Sequence, residues 1–166
     1  MEKDPSLQLR SIGQVVQGRV RPGTPRTEPN DLEGEQAVIE IDTAWAGALE
    51  GIEEFSHIWV VWWLNLSPAG KALSSLQVRP EGREEMPLRG IFATRSPRRP
   101  NPIAITPVRL LERQGARLHV QGLDAYEGTP ILDLKPYLLR GDLIPEAIMP
   151  AWIEQLWRSH DEESED

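Results

Sequence analysis

The sequence predicts an all-β fold, a small antiparallel β-barrel with short peripheral helices and one C-terminal helix. Three observations carry that expectation. Apolar residues alternate with period two in several short runs. Fifteen prolines and 13 glycines cut the chain into pieces with little room for long helices. No crossover helices alternate with the strands, which disfavours a doubly wound α/β arrangement.

Taken in order, residues 12–20, 36–41, 103–111 and 117–121 read as half-buried strands. In the last of these Leu118 and Val120 point inward, with His119 and Gln121 outward. Residues 57–64 are rich in Val and Trp and almost continuously apolar, as expected of a central strand covered on both faces. Residues 90–94 and 130–134 add two short strands. Helical pieces are expected as a turn at 43–49, a short segment at 68–76 and a helix from about Pro150 to Arg158. The last starts on a proline, whose missing N–H costs nothing in a first turn, and Trp152, Leu156 and Trp157 give it an apolar stripe. With no repeat and no linker, residues 1–160 read as one domain. Residues 161–166, five of them acidic, read as a disordered tail.

Composition excludes several classes. The chain has no cysteine, and its three histidines lie at scattered positions, so neither disulfides nor a zinc-ligand spacing is present and no metal is expected. The apolar run 58–64 is far too short for a bilayer, and the N-terminus lacks a signal-like segment, so a cytoplasmic location without membrane attachment is expected. A net charge of −8 argues against a strongly basic surface, but the charge is uneven. Between residues 88 and 111 stand Arg89, Arg95, Arg98, Arg99 and Arg109 without one acid.

Three of these arginines fall in Gly-Ile-Phe-Ala-Thr-Arg-Ser-Pro-Arg-Arg-Pro-Asn-Pro-Ile at 90–103. Prolines fix φ and remove donors, so this loop has little freedom left to lose on binding. Guanidinium forks held there suit carboxylate or phosphate, or alternatively pair with the chain's own acids. Arg98, Arg99 and Asn101 are the candidate substrate contacts. Further along, Asp133 and Lys135 share one face of a strand, and Tyr137 joins them if the strand extends. Asp133 is then a candidate proton acceptor, with Lys135 and Tyr137 as positioning groups. The alternative is a plain surface ion pair. Ser56 and His57 are neighbours whose side chains should point to opposite faces, which disfavours a nucleophile–base pair.

The 90–103 segment resembles the signature of the TsaA-like (TrmO) family of S-adenosylmethionine-dependent methyltransferases, matching it at Gly90, Phe92, Ala93, Arg95, Ser96, Arg99, Pro100 and Asn101. Ile12-Gly13, the stretch from Glu50 to Trp59 and the stretch from Leu123 to Tyr137 resemble further family segments in the same order. The resemblance implies a β-barrel that binds S-adenosylmethionine, often as a homodimer, and methylates N6 of threonylcarbamoyladenosine in tRNA or a related acceptor. A non-catalytic module that only binds the cofactor is the alternative. By position the resemblance puts Arg95 at the cofactor's carboxylate. It puts Pro25, Arg26, Thr27, Leu64, Asn65, Ile105, Ala125, Tyr126, Glu127 and Gly128 around the rest of the cofactor. Departures from the family pattern at Gln17-Gly18-Arg19, Thr27, Asn65, Ala104 and Glu127 bear on the same pocket. No counterpart of the additional C-terminal domain of many bacterial relatives is expected within these 166 residues.

Overall fold

A computed structural model describes residues 8–19, 36–64 and 75–164, with side chains to residue 158. Within it the chain divides into two compact units, one of residues 1–66 and 102–137 and one of residues 67–101 and 138–166.

The first unit is a closed six-stranded antiparallel barrel. Its strands are β1 (Gly13–Gln17), β2 (Gln36–Ile41), β3 (His57–Trp63), β6 (Ile103–Gln114), β7 (Arg117–Gln121) and β8 (Pro130–Pro136), in the order β1-β2-β7-β6-β3-β8 with β8 returning to β1. Closure leaves no unpaired edge. Side-chain alternation fills the interior: Val15, Ile39, Ile58, Val60, Leu118, Val120 and Ile131 are all buried in one cluster. Each such side chain contributes about 1.5–3 kcal/mol relative to exposure. The inward Trp62 finds a partner for its polar edge, Nε1 donating to Thr106 Oγ1 at 3.1 Å. Gly13 sits where β1 pairs with both β2 and β8, and a Cβ there would meet the Glu40 carbonyl and come within 2.8 Å of Ile41 Cα.

The strands at 36–41 and 117–121 form as expected, with Leu118 and Val120 inward. β3 is covered less evenly than its composition implies: Ile58, Val60 and Trp62 are buried, while Trp59, Val61 and Trp63 are half-buried on the outer face. Residues 43–49 form a 3-10 turn, followed by another at Ile52–Glu54. Most of the expected helix at 68–76 lies outside the described residues.

The second unit holds a two-stranded ribbon, β4 (Gln77–Val78) with β5 (Arg89–Gly90), then the arginine turn, α1 (Leu139–Asp142) and α2 (Ala151–Ser164). The strand expected at 90–94 is cut short. Gly90 ends β5, and Ile91–Ala93 wind into a 3-10 turn that buries Ile91. α2 runs to Ser164, so it takes in four residues of the acidic stretch expected to be unstructured. No helix among the described residues is long and apolar enough to cross a membrane.

Candidate functional site

In the second unit the arginine turn is built by its own short hydroxyls. Thr94 Oγ1 donates to the Ile91 carbonyl at 2.9 Å and accepts from Ser96 N–H at 3.2 Å, and Ser96 Oγ accepts from Arg98 N–H at 3.3 Å. Arg99 folds back over this turn. Its Nη1 donates to the carbonyls of Thr94 (2.9 Å), Ile91 and Ser96 (both 3.3 Å), and its guanidinium lies 5.7 Å from the Phe92 ring centre. Arg95 and Arg98 are different. Both are exposed, both line a cleft of about 1060 Å³, and none of the ion pairs among the described residues takes either of them. That volume is at the upper end for ligand clefts, roughly 300–1,000 Å³. Asn101 is exposed beyond the turn.

The cleft is also lined by α2 and the segment leading into it, through Met149, Trp152, Ile153, Leu156 and Trp157. The sequence shows Trp152, Leu156 and Trp157 as an apolar stripe and gives it no functional role. The signal that marks it as a wall is Trp157, which stays 52% exposed.

In the barrel unit, the residues 125–128 close a tight turn. The Tyr126 carbonyl accepts from Thr129 N–H at 3.1 Å, Gly128 N–H donates to Val15 O at 2.8 Å, and Gly128 takes φ +78, the left-handed value that favours glycine. Ala125 is wholly buried, whereas Tyr126 and Glu127 are half-buried. Arg19, one of the departures from the family pattern, is clamped to this turn. Its N–H donates to Ala125 O at 3.3 Å, its carbonyl accepts from Glu127 N–H at 3.0 Å, and its guanidinium lies 5.7 Å from the Tyr126 ring centre. Leu64 packs on the core edge and donates its N–H to Pro102 O at 2.8 Å. Ile105, core-like by pattern, is instead 54% exposed on the outer face, opposite Val61. Pro25, Arg26, Thr27 and Asn65 lie outside the described residues.

Asp133 owes its direction to a register shift. Val61 pairs with Asp133 but Trp62 pairs with Ile131, so Leu132 is an extra residue in β8. A plain strand would send Asp133 inward with Ile131; the bulge reverses the alternation, so that Leu134 packs on the core and Asp133 faces out. There its Oδ2 pairs with Lys135 Nζ at 2.7 Å and its Oδ1 accepts from Leu134 N–H at 2.9 Å. Both groups border a smaller cavity of about 350 Å³ whose apolar wall includes Trp45, Ile52 and Phe55. Tyr137 packs on Trp59, ring centres 5.5 Å apart, with His57 at 6.4 Å. Ser56 and His57 do meet, Oγ to Nδ1 at 2.9 Å, because Ser56 lies in the bend before β3 and escapes the strand's alternation. Among the described residues no third side chain hydrogen-bonds that histidine.

Comparison with known proteins adds the following. Residues 19–143 match the family of the tRNA-methyltransferase O N-terminal domain. A probable S-adenosyl-L-methionine-binding protein of Methanothermobacter thermautotrophicus is 37% identical over 134 residues, covering 81% of this chain and 92% of that one. The human tRNA (adenine(37)-N6)-methyltransferase is 36% identical over 102 residues, covering 61% of this chain and 22% of that one. A crystal structure of TrmO from Pseudomonas aeruginosa superposes with a TM-score of 0.62 at 28% identity, covering 86% of this chain and 61% of that one.

Proposed function

The chain belongs to the family of the tRNA-methyltransferase O N-terminal domain, and on that premise we propose that it is an S-adenosylmethionine-dependent methyltransferase whose acceptor is N6 of a threonylcarbamoyladenosine in tRNA. The observation that carries the reading is the division of labour in the arginine turn. Arg99 is spent on three carbonyls of its own turn, which leaves Arg95 presented, unpaired among the described residues, on a cleft. A guanidinium preorganised in this way fits the carboxylate of an amino-acid ligand. By the family resemblance, the exposed Ile105 and the turn 125–128 belong to the adenosyl group.

When bound, the sulfonium supplies an electrophilic methyl group. The residues of this chain have the remaining tasks. Arg95 holds the carboxylate, the turn 125–128 with Leu64 and Ile105 holds the adenosyl group, and Pro25, Arg26, Thr27 and Asn65 complete the cofactor contacts. Arg98 and Asn101 meet the acceptor, with Arg99 setting the geometry of the turn that carries them. Asp133 takes the proton from the acceptor N–H, and Lys135 and Tyr137 fix its position. The protein acts as a cytoplasmic homodimer whose contact surface is the outer apolar face of β3 and β6, where Trp59, Val61 and Trp63 stand opposite Pro107, Ile105 and Ile103.

Calorimetric titration with S-adenosylmethionine tests the cofactor. Arg95→Ala is expected to weaken binding at least tenfold, about 1.4 kcal/mol; equal affinity in the two proteins removes Arg95 from the site. Nucleoside mass spectrometry of tRNA from a deletion strain tests the acceptor, and loss of the N6-methyl group is expected. Cofactor binding with an unchanged nucleoside profile would favour the binding-only module.

A further inference from the structure

We infer that the cleft of the second unit is a docking site for unpaired RNA, in which Trp157 of α2 stacks a base and Arg98 of the turn takes an adjacent phosphate. The inference deepens the proposed function and rests on its premise that the acceptor is a nucleotide of tRNA. It brings in α2, to which neither the family resemblance nor the motif gives a role.

The chemistry of the walls selects the occupant. One wall is cationic, with Arg95 and Arg98 exposed and unpaired among the described residues, in a stretch that holds no acid from 88 to 111. Two further charged residues of the lining are already engaged: Glu81 pairs with Arg83 at 3.1 Å, and Arg79 donates to the Met86 carbonyl. The lining also carries exposed aromatic rings, Trp157 at 52% on α2 and Phe92 at 77% on the turn itself. Phe92 has one face under Arg99, and Trp152 lies deeper beside Ile153. A purely apolar partner would leave two guanidinium groups unpaired, and an acidic peptide would leave the rings without flat faces to stack on. A single strand of RNA supplies both, since every nucleotide joins a π-face to a phosphate, and stacking platforms beside basic grooves are how such strands are held. The uneven charge accounts for how a chain of net charge −8 can take a polyanion on one short stretch.

The test is fluorescence anisotropy with a short labelled single-stranded RNA, run at several salt concentrations. Trp157→Ala is expected to weaken binding about tenfold, and Trp157→Phe, which keeps a ring, to recover most of it. The phosphate contact at Arg98 predicts a salt slope of about −0.7, which Arg98→Gln abolishes. Unfolding of α2 would affect Ala and Phe alike and leave the slope of Arg98→Gln unexplained. Three results overturn the inference: no RNA binding by the wild type, equal binding by Trp157→Ala, or an aspartate-rich peptide binding as tightly as RNA. S-adenosylmethionine titrated into the wild type reports on the earlier reading alone. A protein that binds the cofactor but not RNA loses this inference and keeps that one.

Discussion

At the scale of single residues, three arginines with the same chemistry do three different jobs, and what separates them is the partner each finds. Arg99 braces a turn through carbonyls, Arg95 is offered to solvent, and Arg113 ties the barrel to its 3-10 turns. Arg113 Nη1 donates to the Leu49 carbonyl at 3.1 Å and to Glu53 Oε2 at 2.9 Å. Hydrogen bonds from a charged donor contribute about 1.5–3 kcal/mol, so Arg99→Ala is expected to lower stability by roughly that amount in urea unfolding. A smaller effect would mean that water replaces the guanidinium. Glu53 gives a pH signature. Its own backbone N–H at the start of a 3-10 turn, and then Arg113, hold its carboxyl below the ordinary value. A carboxylate whose folded pKa is depressed contributes stability above its unfolded pKa and loses it as pH falls through the folded one. Glu53→Gln should therefore lower stability near neutral pH and leave it unchanged at strongly acidic pH. A loss of the same size at both extremes would assign the effect to packing.

At the scale of elements, the barrel strands follow from period two because one face of each is buried, and slipping the register by one residue would turn the core outward. That is why β2 and β7 could be read to the residue, and why the order of strands could not: the pairing is set by closure, not by any one segment. The bulge at Leu132 shows the limit most clearly. Alternation read along 131–135 puts Ile131 and Asp133 on one face, and only the pairing with β3 reveals that they part. The candidate site was legible at the motif, where proline spacing and arginine density announce a stiff cationic turn. It was not legible at its aromatic wall, because a stripe on α2 looks the same whether it packs on a core or borders a cleft. Gly13 is the element-scale prediction. Its place at the closure leaves no room for a side chain against the Glu40 backbone, so Gly13→Ala forces β1 away from β2. Overpacking of this kind costs about 1–3 kcal/mol, readable as a lower urea midpoint. A midpoint equal to that of the wild type would show that the seam yields freely.

At the scale of the whole molecule, the outer face of β3 and β6 decides between a monomer and a pair. Interior demand does not explain Trp59, Val61, Trp63, Ile103, Ile105 and Pro107, since the alternate residues of both strands already fill the core. Ile105 is 54% and Ile103 37% exposed, and the residues stand in adjacent register, so the apolar surface is contiguous. Contiguous apolar patches larger than a few hundred Å² are rare on monomers, and a second copy is the partner always present at matching concentration. A two-fold contact on this face sets each residue against its symmetric neighbourhood, so one charge introduced near its centre is buried twice. Ile103→Asp, which lies outside the cofactor contacts, is therefore expected to convert a dimer into a monomer in light scattering after size exclusion, with the circular dichroism of the barrel retained. A wild type that runs as a monomer across the micromolar range, or an Ile103→Asp protein that stays dimeric, removes this face as the contact.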